Sequence, residues 1–174
     1  MHPTPSPAPD ELAVLREMPI FGGVPDRTLQ LLSERAERIA VPRGRWFFRQ
    51  GDRGQTMYVL RSGLVEVRRT LGGHTETLGR LGPGECFGEM ALIDLYPRSA
   101  SVRALENCEA LGIGHELLYA IYGQDPEPFT LIMMNLAREL SRRLRHAEAL
   151  LFQQRRTAEL SSPRGAGTGE IPYV

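Results

Sequence analysis

The feature that most constrains the fold is a series of short β-prone runs between residues 38 and 114, separated by glycine-bearing turns. In chain order the runs are RIAV, RWFFRQ, TMYVLR, LVEVRRTL, HTETLGRL, SASVRALE and CEALGIG. Many short strands at this spacing are typical of a compact antiparallel barrel or roll. A parallel sheet would need helical patterns between the strands, and the sequence has none there. We therefore predict an α+β protein whose centre is antiparallel.

Helical patterns flank this strand-rich segment. Two short helices are expected before it, at residues 10–18 and 25–37. After it we expect a short helix at residues 115–123 and one long helix that runs to about residue 160. Asp125 is the expected N-cap of the long helix, and Pro126 suits its first turn.

The long helix carries apolar residues in steps of four and three, a pattern typical of a seam for a partner helix or a second copy. The seam residues are Met133, Ala137, Leu140, Leu144, Ala147 and Leu151. A second apolar stripe, formed by Ile132, Leu136 and Leu150, leaves open the alternative that this helix simply covers the roll.

Composition excludes several classes of protein. The 174 residues include 21 basic and 21 acidic side chains, so no global field attracts nucleic acid or an acidic membrane. The N-terminus does not resemble a signal peptide, and no apolar run is long enough to span a membrane, so we expect a cytoplasmic protein. The two cysteines are too few for a structural zinc site, and no catalytic constellation stands out. We expect no enzyme activity, no metal and no catalytic cofactor.

Boundaries follow from the same patterns. Residues 1–9 are proline-rich and expected to be disordered, residues 10–160 form one domain, and residues 161–174 form a flexible tail. His74, on a hairpin turn, and His115, at a helix start, are interpreted as surface and capping residues.

The stretch CFGEMALIDLYPRSASV, residues 86–102, concentrates the polar chemistry. Gly88 permits a close backbone approach, and ionised Glu89 accepts hydrogen bonds from a hydroxyl. Arg98 offers a planar, permanently charged fork for an anion, and small residues follow it. The stretch is either an ordinary salt-linked turn or a cradle for a ligand that carries a hydroxyl and an anion.

This stretch resembles the phosphate-binding cassette of the cyclic nucleotide-binding domain family, found in bacterial catabolite activators, protein kinase A and G regulatory regions and cyclic nucleotide-gated channels. The segments MPIFGGVPDRTLQLLSERAE and FFRQGDRGQTMYVLRSGLVEV are similar to other parts of that domain. The likeness covers about residues 12–158 and implies a β-roll of the jelly-roll-like, double-stranded β-helix kind, at about residues 38–114, with N-terminal helices and C-terminal helices at about 115–160.

By this resemblance, Glu89 binds the ribose 2′-hydroxyl and Arg98 binds the cyclic phosphate. The other implied phosphate and ribose contacts are Phe87, Gly88, Met90, Ala91, Ser99 and Ala100. The base contacts are Val67 and Leu78 in the roll and Arg142, Arg143 and His146 on the long helix. A solvated helix face is the competing interpretation of these arginines. Ser99, which follows the cassette arginine, favours cAMP over cGMP.

The resemblance implies a receptor in signal transduction. Only about fourteen residues follow Leu160, too few for a three-helix DNA reader, so we expect a stand-alone sensor that binds no DNA and no membrane. A cyclic mononucleotide would move the C-terminal helix and thereby regulate a protein partner, with a homodimer as a further expectation. The alternative is a nucleotide-independent interaction or dimerisation module with a degenerate site.

Overall fold

The computed structural model describes residues 9–161, with the side chains of residues 11–153 and of Arg156. The tails expected at residues 1–9 and 161–174 fall outside the described residues, apart from Pro9 and Ser161. The chain begins with helix α1 (Pro9–Glu17), a 3₁₀ turn (Pro19–Phe21) and helix α2 (Asp26–Arg35).

Eight strands follow, interrupted by one short helix in the cassette. They are β1 (Glu37–Val41), β2 (Trp46–Phe48), β3 (Thr56–Ser62), β4 (Val65–Leu71), β5 (His74–Leu81), β6 (Cys86–Phe87), β7 (Ser101–Ala104) and β8 (Cys108–Gly114), with α3 (Glu89–Ile93) between β6 and β7. Helices α4 (His115–Gln124) and α5 (Pro126–Ser161) complete the described chain.

The strands form two four-stranded sheets, ordered β1-β8-β3-β6 and β2-β7-β4-β5. All pairings are antiparallel. The predicted antiparallel roll with N-terminal helices and a long C-terminal helix is confirmed. The two-residue strand β6 was missed, because so short a strand exists only through its pairing with Tyr58 and Val59 of β3.

Two groups of buried apolar side chains form the core. The larger joins α1, α2, α4 and the start of α5 to β3 and β8, and Ile132 and Leu136 of the second apolar stripe are buried in it. The smaller lies between the sheets and contains Leu60, Val65 and Phe87. Burial of this apolar surface is the dominant force that holds the roll and its helices together.

The chain divides into two compact units, of which the first ends at Leu136 and the second begins at Ala137. The first unit contains the roll, the cassette and the beginning of α5. In the described part of the chain, no helix combines the length and apolar character that crossing a bilayer requires.

Candidate functional site

The cassette, residues 86–102, turns sharply at Gly88 between β6 and α3. Gly88 has φ of 77°, in the left-handed region that glycine adopts without strain. A Cβ atom there would lie 2.7 Å from Nη1 of Arg98 and 3.1 Å from Cε1 of Phe48. Glycine is therefore required by backbone conformation and by the approach of Arg98.

Both charged residues of the cassette are buried. Glu89 is the first residue of α3 and is 5% exposed, while Arg98 is 4% exposed. Arg98 donates through Nη1 to the carbonyl of Gly88 (2.7 Å) and through Nη2 to the carbonyl of Thr56 (2.8 Å). Its Nε is buried and has no hydrogen-bond partner among the described residues. Such a guanidinium retains donors for a further acceptor, since arginine has five N–H groups.

The turn at residues 49–54 holds Arg98 in place, a role that the sequence motif did not disclose. The backbone N–H of Arg98 donates to the carbonyl of Asp52, and the N–H of Gly51 donates to the carbonyl of Arg98, each at 2.9 Å. A Cβ atom on Gly54 would lie 2.7 Å from Nη2 of Arg98. This close approach explains why a glycine stands at position 54.

An aromatic cluster lies beside the arginine and was also missed by sequence reasoning. Its members are Phe47, Phe48, Tyr58 and Phe87. The ring centroids of Tyr58 and Phe87 are 5.5 Å apart, and those of Phe47 and Phe87 are 4.9 Å apart. The guanidinium carbon of Arg98 lies 4.1 Å from the ring centroid of Phe48, a cation–π distance. The aromatic residues in the runs RWFFRQ and TMYVLR were the available signal, but the sequence does not reveal which aromatic ring faces the arginine.

Burial has the largest effect on the pKa values of Arg98 and Tyr58. It lowers the pKa of Arg98, an effect opposed by the nearby Tyr58 phenol and the carboxylates of Asp52 and Glu89. Burial also raises the pKa of Tyr58. Arginine stays charged nonetheless, so the site presents a cation where water is largely excluded. An anion placed there would interact with it more strongly than in bulk water.

A family model for the cyclic nucleotide-binding domain matches residues 38–125, about half of the chain. This chain belongs to the cyclic nucleotide-binding domain family. The resemblance inferred from the cassette is thereby confirmed.

Individual relatives agree with this family. The cyclic AMP receptor protein of Thermus thermophilus is 42% identical over 135 residues, covering 77% of this chain and 61% of the relative. A crystal structure of the Thermus thermophilus catabolite activator protein matches with a TM-score of 0.68 and 42% identity, over 78% of this chain and 62% of that one. The regulatory domain of Toxoplasma gondii PKA, solved with cAMP, matches with a TM-score of 0.59 and 25% identity, over 64% of this chain and 42% of that one. The chain thus spans about three fifths of the length of the Thermus relatives.

The remaining cassette residues of this cyclic nucleotide-binding domain differ in exposure. Phe87, Ala91 and Ala100 are buried, whereas Met90 is 46% exposed. The Ser99 hydroxyl lies on the exposed side, 3.5 Å from Sδ of Met90. The cassette therefore combines a buried charged pair with an accessible rim.

Two of the five residues predicted to contact the base lie on the β4–β5 hairpin. Val67 is half-buried, is paired with Gly79 and packs against the cluster that contains Phe87. Leu78 lies at the β-bulge beside this pair and is 56% exposed. The structure therefore brings Val67 toward the cassette side of the roll and leaves Leu78 largely in solvent.

The three predicted contacts on the long helix lie in the second unit. Arg142 and Arg143 both pair with Glu139, Arg143 through an Nε to Oε1 hydrogen bond of 2.8 Å. Arg142 and His146 are exposed. Their assignment to the base stays a prediction.

His115 differs from its expected role. It is the first residue of α4, but its side chain does not cap that helix. Its Nε2 instead lies 2.7 Å from the carbonyl oxygen of Leu92 in α3. The interpretation of His115 as a capping residue is therefore wrong, because the roll places α3 within its reach.

Proposed function

We propose that this domain is a receptor for a 3′,5′-cyclic mononucleotide that acts without enzyme activity. The observation that carries the proposal is the buried Arg98 guanidinium, whose Nε has no partner among the described residues. Nε and Nη2 lie on one edge of the guanidinium, and that edge matches two oxygens of a phosphodiester. A singly charged cyclic phosphate would compensate the buried cation.

Glu89 supplies the second half of the recognition. Its carboxylate is buried at the start of α3, and an ionised carboxylate only accepts hydrogen bonds. A ribose 2′-hydroxyl can donate to it, whereas a 2′-deoxy sugar lacks that donor. Phe87, Gly88, Met90, Ala91, Ser99 and Ala100 complete the proposed phosphate and ribose contacts.

We propose cAMP as the preferred ligand. Ser99 supports this choice, as does the similarity to a receptor named for cyclic AMP and to a kinase regulatory domain solved with cAMP. The base would lie against Val67 and Leu78, with Arg142, Arg143 and His146 as the contacts from α5.

We further propose a cytoplasmic sensor in which ligand capture moves α5 and changes the binding of a protein partner. For such a switch, cAMP must bind one conformation more tightly than the other, since a ligand with equal affinities shifts nothing. The formal net charge of zero supports a protein rather than DNA as the partner.

The decisive experiment is calorimetric titration of the purified protein with cAMP and with cGMP. We expect saturable binding of both, with the lower Kd for cAMP. Replacing Arg98→Ala removes charge-assisted hydrogen bonds of about 1.5–3 kcal/mol each, so affinity should fall at least about a hundredfold. Arg98→Lys is the matched control, because lysine keeps the positive charge but lacks the planar fork of the guanidinium. This variant should also bind cAMP poorly. An unchanged affinity for cAMP in both variants would overturn the assignment of Arg98 to the phosphate.

A second candidate function is a nucleotide-independent dimerisation module. It is favoured by the exposure of Leu144 (61%) and Leu151 (56%), two residues of the predicted seam on α5. Equal self-association and equal partner capture with and without cAMP would support this candidate instead.

A further inference from the structure

The short helix α3, which begins with the proposed ribose-binding Glu89, ends before the carbonyl of Leu92 can find a partner inside the helix. The N–H of Tyr96 is the group that would bond to the carbonyl of Leu92 if α3 continued. That N–H donates instead to the carboxylate of Asp94, at 3.0 Å. The carbonyl of Leu92 is therefore open to a donor from elsewhere in the fold.

His115 provides that donor. Its Nε2 lies 2.7 Å from the Leu92 oxygen, 23 residues away in the chain. A carbonyl oxygen only accepts, so Nε2 must carry the hydrogen, in the neutral or in the charged ring. The bond fixes the last turn of α3 to the first residue of α4, and Leu92 is itself buried in the core beside α4 residues.

The part of the cassette that contains Arg98 is held next to His115 as well. Arg98 donates to the carbonyl of Thr56, and Thr56 is the register partner of Gly114, the residue before His115. The Glu89 arm and the Arg98 arm are thus both tied to one end of the β3–β8 ladder. A ligand held between the two arms needs both in fixed positions.

We propose that His115 is a positioning residue for Glu89, acting through the carbonyl of Leu92. This inference rests on the proposed function, because Glu89 is taken to read the ribose 2′-hydroxyl. Without the His115 bond, α3 is less ordered and Glu89 loses part of its contribution to binding. The effect should therefore appear with ligands that carry the 2′-hydroxyl and not with those that lack it.

The test compares Kd values for cAMP and for 2′-deoxy-cAMP by calorimetry. His115→Phe keeps an aromatic ring beside Tyr119 but removes the donor, whereas His115→Gln keeps a donor at similar reach. We expect His115→Phe to weaken cAMP binding about threefold to tenfold and to leave 2′-deoxy-cAMP binding almost unchanged. His115→Gln should retain the wild-type ratio of the two Kd values. His74→Phe, at the exposed first residue of β5, is the matched control and should change neither value.

Thermal unfolding of each variant identifies a loss of fold. If His115→Phe is unfolded, His115→Asn replaces it, since the shorter amide does not reach Leu92. Equal weakening of both ligands, or an unchanged ratio in the Phe and Asn variants, would overturn the positioning role while leaving the receptor function intact. Absence of cAMP binding by the wild-type protein would overturn both proposals.

Discussion

At the scale of single residues, the site depends on glycines as much as on charges. Gly54 and Gly88 both lie against the guanidinium of Arg98, where an added Cβ would come within 2.7 Å of its terminal nitrogens. The two positions differ in one respect, because Gly88 has a positive φ and Gly54 does not. Alanine at position 54 therefore introduces no backbone strain, only a contact with Arg98.

We predict that Gly54→Ala weakens cAMP binding about tenfold, because the guanidinium must move away from its position and lose part of its fork. The midpoint of thermal unfolding should change little, since the displaced atoms belong to the end of a flexible side chain. Calorimetry and thermal unfolding measure the two effects separately.

Gly123→Ala is the control for this substitution, since a methyl group there meets no atom within 4 Å. It should leave the Kd for cAMP unchanged. Wild-type affinity in Gly54→Ala would contradict the tight fit of Arg98 against residue 54.

Glu11 illustrates a buried charge with a structural role. It is 6% exposed on α1, and its carboxylate contacts Arg38 at 2.8 Å and Arg61 at 3.6 Å. Burial alone would raise the pKa of Glu11, but the hydrogen bond from Arg38 and the two positive charges outweigh it. The pKa therefore lies below the ordinary value of 4.5, and the ionised form stabilises the fold.

We predict that Glu11→Gln lowers the free energy of unfolding by about 1–3 kcal/mol at pH 7. A lowered pKa means that this contribution is fully present above pH 4.5 and is lost as the pH falls through the folded-state pKa. The difference between variant and wild type should therefore narrow in acid. Urea unfolding at several pH values measures it.

Asp26→Asn offers a comparison, since Asp26 pairs with Arg16 at the surface. Its effect on unfolding should be small, because exposed ion pairs contribute little. A Glu11→Gln difference that persists unchanged at pH 3 would be incompatible with the proposed linkage.

At the scale of elements, Asp125 lies at the junction between α4 and α5 and makes two polar contacts there. Asp125 accepts a hydrogen bond from the N–H of Glu127 at 3.1 Å through Oδ1 and pairs with Arg27 of α2 through Oδ2. Asp125 thus caps the start of α5, as the sequence predicted, and also ties that start to the N-terminal helices. The cap lies in a partly buried position, whereas the Arg27 side chain is 72% exposed.

We predict that Asp125→Ala costs about 1 kcal/mol of folding free energy, the usual value of an N-cap. Arg27→Ala should cost less, since it removes only an exposed ion pair. Asp125→Asn should cost about as much folding free energy as Arg27→Ala, because asparagine keeps the acceptor for the cap and loses only the charge. Chemical denaturation ranks the three variants, and an equal cost for Arg27→Ala and Asp125→Ala would show that the ion pair outweighs the cap.

At the scale of the whole molecule, the two compact units differ in how far the apolar side chains of α5 are buried. The first unit buries Ile132 and Leu136 of α5 in its core. In the second unit, Leu144, Leu151 and Phe152 of the same helix are more than half exposed. Single helices gain most of their stability from packing, so these side chains favour a partner helix.

We predict that the chain self-associates through the seam on α5. Sedimentation velocity should show a sedimentation coefficient that rises with protein concentration. Leu144→Glu places a charge in the seam and should shift the protein to monomer, whereas Ala149→Glu, on another face, should not. A monomer at all concentrations in the wild-type protein would contradict the seam.

Much of the fold was predictable because its signals are local. Seven of the eight strands were expected from runs of β-prone residues between glycine turns, and the capped start of α5 from Asp125 and Pro126. The cassette was recognisable because Gly88, Glu89 and Arg98 lie within eleven consecutive residues. Their assignment to phosphate and ribose stays a prediction, as does the base-binding role of Arg142, Arg143 and His146.

Tertiary structure alone decided what surrounds these residues. Thr56 lies 42 positions from Arg98, and its carbonyl accepts from that arginine because of the register of β3. Phe48 reaches the guanidinium from the other sheet, and His115 reaches Leu92 across the fold. Sequence by itself determined seven of the strands, the Asp125 cap of α5 and the order of the charged groups, since each depends on neighbouring residues. The burial of Glu89 and Arg98 and the unpartnered Nε arise only when the two sheets close, because pairing distant segments is a property of the folded chain.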